Sequence, residues 1–221
     1  MKKSALILPY VLQKVHYILF FIVYKVFMCV EVRGLGLLEI EPGPFIFAMN
    51  HTHEADATTF PLILPFWSRH FPLFFVAAAK ERYKTFGWRG YLYGGRFFNA
   101  LGAYSVFSGH QNYAYALQTH ERILKKGYSM CIFPEGKRTP DGALGPARGG
   151  LGYLTYATGA KVVPVAVSGF YRLTFKDFFL RRAKLMLTIG EPFLPEIEIS
   201  SKENFQAAGE EVLEKIKEML E

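Results

Sequence analysis

The sequence predicts an α/β domain: a mostly parallel central sheet flanked by helices, preceded by an apolar helix that associates with a membrane. Three observations carry this. From Gly43 onward, short apolar runs alternate with helix-patterned stretches, the signature of strand–helix–strand units. Two of those runs stop abruptly at polar turns, "NHTHEAD" and "EGKRT", and open α/β sheets carry their functional groups at the carboxyl ends of strands. Residues 5–30 are apolar, interrupted only by Gln13, Lys14, His16 and Lys25, and about 20 such residues suffice to cross a bilayer. The chain's 221 residues leave room for one sizeable domain and an anchor, divided here into a membrane-associating segment, 1–33, and a globular domain, 34–221.

The elements follow in order. In the first helix Lys3, Lys14 and Lys25 recur every eleven residues, a spacing that drifts by only about 20° on a helix. They form one stripe, and a lysine stripe along a greasy helix suits the membrane interface, although a full span is also open. Pro9 is expected to break or tilt the first turns. "GPFIFAMN" (residues 43–50) reads as a buried strand. "ADATTFPLIL" (55–64) reads as a short helix cut at Pro61 or Pro65. "FPLFFVAAAK" (71–80) is a second strand, and "FFNALGAYSVF" (97–107) holds a helix end, a turn at Gly102 and a third strand. Residues 112–126 form one helix ending at Gly127, "YSMCIFP" (128–134) a strand, and 151–158 a helix ending at Gly159. "KVVPVAVSG" (161–169) and "KLMLTIGEPF" (184–193) are strands. Ser200 and Glu203 offer a capping box for a final helix, 203–220.

Composition narrows the function. Hydrophobic residues make up 51%, aromatics 16% and charged residues 20%, yet the net charge is +7. Greasy and basic together point to an anionic membrane surface. Nucleic acid is not expected, because no recognition helix, zinc finger or RNP-like pattern accompanies the charge. "FWSRHF" (66–71), "FGWRGYLYGGRFF" (86–98) and "FKDFFLRR" (175–182) mix rings with arginines, and at least one of them is expected to touch lipid. Cys29 and Cys131 lie in apolar runs, where buried thiols are expected, and neither belongs to a CxxC pair.

"NHTHEAD" admits three readings. His51 and Asp56 are five residues apart, which on one helix puts them about 500° apart and on different faces. They meet if His51 sits in the loop and Asp56 in the first helical turn. The carboxylate would then fix the imidazole tautomer and support its protonated form, making a general base. His53 is a rival base. A second reading is a metal site from His51, His53 and Asp56, which no other His or Cys motif completes. A third is a polar helix start. "CIFPEGKRTPDG" (131–142) also runs a strand into a polar turn, where Gly136 frees the backbone and Arg138 suits a phosphate.

Together these stretches resemble the glycerolipid acyltransferase family, whose best-known members are 1-acyl-glycerol-3-phosphate acyltransferases. The family's N-H-x-x-x-x-D motif is matched by Asn50, His51 and Asp56. Its F-P-E-G-x-R-(S/T) motif is matched by Phe133, Pro134, Glu135, Gly136, Arg138 and Thr139. A V-P-V-A motif is matched at residues 163–166, and "RGG" (148–150) and "TIGEPF" (188–193) fall where the family has similar text. In the family's G-x-x-x-V-x-R motif, Gly102 and Val106 match but Ser108 stands in place of the arginine. Arg96, Arg138, Arg148 or Lys80 would have to supply that charge.

The resemblance implies a glycerol-3-phosphate acyltransferase-like fold and an O-acyltransferase. It would move a fatty acyl group from acyl-CoA or acyl carrier protein to the free hydroxyl of a lysophospholipid, foremost 1-acyl-glycerol-3-phosphate, giving phosphatidic acid. His51, oriented by Asp56, would be the base. Asn50, Phe133, Pro134, Glu135, Gly136, Arg138 and Thr139 would hold substrate. No cofactor or metal is implied. The expected place is the cytoplasmic face of the inner or plasma membrane, or an equivalent endomembrane. Ser108 keeps open an acceptor lacking glycerol phosphate, and a non-catalytic lipid-binding protein is the reading from another class.

Overall fold

The computed structural model describes residues 4–78, 96–107 and 112–221. Ser108, Lys80, Lys3 and most of the stretch at 86–98 lie outside them. The chain opens with α1 (Ser4–Phe27), followed by β1 (Cys29–Arg33), α2 (Leu37–Ile40), β2 (Phe45–Met49), α3 (Asp56–Ile63) and β3 (Phe74–Ala77). Next come α4 (Arg96–Ala100), β4 (Ala103–Ser105), α5 (Tyr113–Ala116), α6 (Gln118–Lys125) and β5 (Met130–Ile132). α7 (Gly150–Thr158), β6 (Lys161–Ser168), α8 (Phe175–Phe179), β7 (Lys184–Ile189) and α9 (Lys202–Leu220) complete it.

The strands form one seven-stranded sheet in the order β1-β7-β6-β2-β5-β3-β4. Every neighbouring pair is parallel except β6 and β7. All five residues of β2 are buried, which is why the strand reads as a continuous apolar run: both faces of a parallel sheet are covered. Phe45, Phe47 and Met49 point to the face covered by α1 and α3, where Tyr17, Tyr24, Phe60 and Leu64 meet them. Ile46 and Ala48 point to the other face, under Ile123, Leu124, Leu151, Leu154, Val212 and Ile216 of α6, α7 and α9. The sheet order sets β2 and β5 side by side, with Ala48 opposite Ile132. Their carboxyl ends therefore open into adjacent loops, and those loops carry the two polar motifs.

Several local expectations are corrected. α1 runs through Pro9 unbroken and ends at Phe27; the residues after it form β1, an edge strand paired with β7. The lysine stripe is split: Lys25 is exposed, but Lys14 turns inward. Lys14 is buried against the domain, with its ammonium on the Phe66 carbonyl and 3.6 Å from the Phe71 ring centre. Beside it, Gln13 donates to the carbonyls of Leu73 and Leu101 at 2.6 and 2.8 Å and accepts from Leu73 N–H at 2.9 Å. The outward face is apolar instead: Ile7, Leu8, Val11, Val15, Ile18, Leu19, Ile22 and Val26 are all exposed. Of the two expected cuts in α3 it is Pro65 that acts: the helix passes through Pro61 and stops at Ile63, because Leu64, before Pro65, is held extended. The helix expected at 112–126 breaks at Leu117 into α5 and α6. α9 is capped by Ser201, whose hydroxyl accepts from Asn204 N–H, rather than by a Ser200–Glu203 box. Cys29 is exposed; only Cys131 is buried.

Candidate active site

His51 lies two residues beyond β2, and Asp56 is the first residue of α3. The two meet: His51 Nδ1 is 3.1 Å from Asp56 Oδ2. Asp56 is fully buried, while the His51 side chain keeps 20% of its surface exposed. The same carboxylate oxygen accepts the backbone N–H groups of Thr52 and His53, each at 2.8 Å. One acid thus closes the loop into a tight turn and accepts the Nδ1–H hydrogen bond. An anion in the first turn of a helix is also favoured by the helix dipole. With Nδ1–H directed at Asp56, the neutral imidazole presents Nε2 as its unprotonated nitrogen, the arrangement a general base needs.

The β5 loop holds His51 from the other side. The Phe133 ring stacks on the imidazole with centroids 4.0 Å apart. Glu135 is 1% exposed, and both its oxygens are used: Oε1 accepts His51 N–H at 3.0 Å and Oε2 accepts Gly145 N–H at 2.8 Å. Burial pushes its carboxyl up, opposed by these two bonds. Thr139 donates its N–H to the His51 carbonyl at 2.9 Å. The residue before His51 is fixed by β6. Asn50 donates to the Val167 carbonyl at 2.9 Å and accepts Val167 N–H at 2.7 Å, so its amide prolongs the β2–β6 ladder. Asn50, Glu135 and Thr139 are therefore brought to the site, but their polar atoms grip backbone.

Gly136 turns with φ +65°, and a Cβ there would lie 2.6 Å from Arg148 Cδ. The Arg148 stem thus crosses the turn, tied by its own N–H to the Pro134 carbonyl at 2.8 Å. Arg148 is exposed, and its guanidinium has no carboxylate partner among the described residues. Arg138, also exposed, pairs with Glu54 at 3.1 Å. Arg148 was only one of four substitutes for the missing motif arginine. The separation of Arg148 from Gly136 in sequence hid the contact, though the Gly136 turn was a signal for it.

The rival readings lose ground here. His53 Nδ1 accepts Ala55 N–H at 3.1 Å, and its ring stacks on Phe170 with centroids 5.5 Å apart. Among the described residues, no three His, Cys, Asp or Glu side chains gather as a metal would require. Cys131 is fully buried with its thiol on Met49 Sδ. Burial, and next the nearby Asp56 charge, push its pKa far up, so it supplies no thiolate nucleophile. The N–H groups of His51, Thr52 and His53 are all committed to carboxylates and are not oxyanion donors.

The chain is 45% identical over 72 residues to the chloroplastic 1-acyl-sn-glycerol-3-phosphate acyltransferase BAT2 of Brassica napus, covering 32% of this chain and 21% of that protein. It is 35% identical over 72 residues to the chloroplastic 1-acyl-sn-glycerol-3-phosphate acyltransferase LPAT1 of Arabidopsis thaliana, covering 32% and 20%. The chain thus spans about a fifth of the length of the curated relatives it matches. In fold it is similar to the 1-acyl-sn-glycerophosphate (LPA) acyltransferase PlsC from Thermotoga maritima, with a TM-score of 0.61, 24% identity and coverage of 93% of this chain and 78% of that one. Residues 30–168 match the family model described as Acyltransferase, a span that contains His51, Asp56 and the whole β5 turn. The chain therefore belongs to the acyltransferase family of enzymes.

Proposed function

We propose that the protein transfers a fatty acyl group from acyl-CoA or acyl carrier protein to the free hydroxyl of a lysophospholipid, foremost 1-acyl-glycerol-3-phosphate. The product would be phosphatidic acid. The observation that carries this is the His51–Asp56 pair, with Nε2 free, beside the β5 turn. Nε2 takes the proton of the acceptor hydroxyl as its oxygen attacks the thioester carbonyl. Collapse of the tetrahedral intermediate breaks the C–S bond, and the imidazolium returns its proton to the departing sulfur. Phe133 holds the ring in place, and Glu135, Asn50 and Thr139 hold the backbone on either side of it. Arg148 and Arg138 flank the turn and receive the acceptor's phosphate, doing the work of the arginine that Ser108 replaces. The apolar outer face of α1 seats the enzyme on its membrane, facing the compartment that supplies the soluble donor.

The test is an acceptor panel with labelled acyl donor. Wild-type protein should acylate 1-acyl-glycerol-3-phosphate, His51→Ala should abolish transfer while keeping the melting temperature, and Arg148→Ala should raise KM for that acceptor by about tenfold, the loss of one charge-assisted contact. Ser108 motivates a second reading, an acceptor without glycerol phosphate. Turnover of a neutral lyso-lipid alone, with no glycerophosphate acceptor used, would establish it.

A further inference from the structure

The stretch from Arg172 to Lys184 is built unlike the rest of the surface. Its short helix α8 is held by a reciprocal cap: Thr174 accepts Asp177 N–H at 3.1 Å, and the Asp177 carboxylate accepts Thr174 N–H at 3.3 Å. Arg172 and Arg181, with φ of 59° and 57°, turn the chain sharply on either side. Phe178 faces inward against the Phe27 ring at the end of α1, centroids 5.3 Å apart. Phe175, Phe179 and Leu180 face solvent, exposed by 87%, 62% and 50%. Around them Arg172, Lys176, Arg181, Arg182 and Lys184 are all exposed, and among the described residues none makes an ion pair. The one acid of the segment, Asp177, is held in its cap and, within reach of the Arg182 and Lys176 charges, forms no ion pair with either.

Three exposed apolar groups ringed by five cations without ion pairs, one of them (Arg172) over the Tyr171 ring, fit one kind of surface: hydrocarbon beneath a layer of negative headgroups. We propose that this segment is a docking site for an anionic lipid bilayer. Its place in the fold gives the contact a purpose. Phe170, just before it, stacks on His53, and Tyr171 lies against Gly142 and bonds the Pro140 carbonyl at 3.4 Å. The segment is thus joined to both catalytic loops, at the carboxyl end of β6. Through Phe27 it also continues the exposed apolar face of α1. Docking here sets the His51 edge of the sheet on the bilayer. That purpose rests on the lipid acyltransferase reading; the binding itself does not.

The experiment measures co-sedimentation of the full chain with phosphatidylcholine vesicles, with and without about one part in three phosphatidylglycerol. No acyl donor or acceptor is present, so failure of the transfer assay would leave the result standing. Wild-type protein should bind anionic vesicles more tightly and release with salt. Arg181→Glu/Arg182→Glu should lower binding to anionic vesicles by about thirtyfold or more, at roughly fivefold per surface charge lost, and leave neutral vesicles unaffected. Phe175→Ser/Phe179→Ser should weaken binding to both. Melting temperatures report folding; if the charge reversal does not fold, Arg181→Gln/Arg182→Gln carries the same test with a smaller loss. Wild-type binding by both variants would overturn the proposal. So would a wild-type dimer, without vesicles, that these substitutions convert to monomer, since the patch would then join two copies of the chain.

Discussion

At the residue scale, the site separates side chains that do chemistry from side chains that hold backbone. Asp56 does both, since one oxygen carries the imidazole N–H and two loop amides. Asp56→Asn should keep the loop closed but no longer support the imidazolium. We expect kcat to fall by about 10⁴-fold with KM little changed, in line with the loss of an orienting acid beside a histidine base. Glu135 offers a sharper contrast. If it clamps the His51 amide, Glu135→Gln replaces one accepting oxygen with an amide that repels Gly145 N–H or His51 N–H. That should lower kcat by about ten- to a hundredfold through misplacement of the base, with KM for the acceptor nearly constant. A rise in KM at constant kcat would mean that Glu135 binds the acceptor directly. The motif spacing made these residues legible as neighbours of the reaction. Their tasks were not legible, because Glu135 reaches an amide 84 positions away and Asn50 one 117 positions away, and both distances are set by strand order.

At the scale of elements, the carboxyl ends of β2 and β5 are adjacent only because no strand intervenes between them. Runs such as residues 45–49 and 161–168 were readable as strands from their unbroken apolar character. β1 was not, since its alternating exposed and half-buried pattern follows α1 without punctuation. The cap Thr174–Asp177 was a sequence signal for α8 that its aromatic and basic neighbours obscured. Pairs of helices also escape a reading by pattern, and α7 on α9 shows why. Gly152 lies so close to α9 that a Cβ would sit 2.3 Å from the Phe205 carbonyl oxygen and 2.7 Å from its Cα. These are backbone atoms, which cannot rotate away, so the helices must move apart. Gly152→Ala should cost about 3 kcal/mol, the upper range for overpacking a tight contact. The gain in helix propensity, about 1 kcal/mol, offsets part of this and leaves a net loss of about 2 kcal/mol. Chemical denaturation checks this: a stability equal to wild type would mean that α9 shifts freely.

At the scale of the whole molecule, two buried histidines outside the catalytic loops, His120 and His70, make the fold sensitive to acid. His120 is fully buried on α6; its Nε2–H donates to the Tyr104 carbonyl at 2.9 Å, and its Nδ1 has no partner among the described residues. Burial pushes its pKa down to about 4, against the opposing effect of that bond. His70 lies against Phe45 and Phe47 with Nδ1 3.0 Å from Ser129 Oγ, and burial, then the Arg69 charge, also push it down to about 4. Both are neutral in the folded protein at pH 7 and titrate near 6.5 when unfolded. Below that value the unfolded chain binds more protons than the folded one, so stability falls as pH drops from about 6.5 towards 4. It is unaffected by these groups above that window. For His120 alone the loss at pH 5 is about 2 kcal/mol, or a fall of several degrees in Tm for a chain of this size. Glu135 acts in the opposite sense, because its raised pKa lets the folded state keep a proton that the unfolded chain has released. Its contribution is common to wild type and to His120→Gln, a variant that keeps a donor for the Tyr104 carbonyl but does not titrate. Melting curves at pH 7 and pH 5 should therefore show a smaller drop in the variant than in wild type. Equal drops would place the acid sensitivity elsewhere.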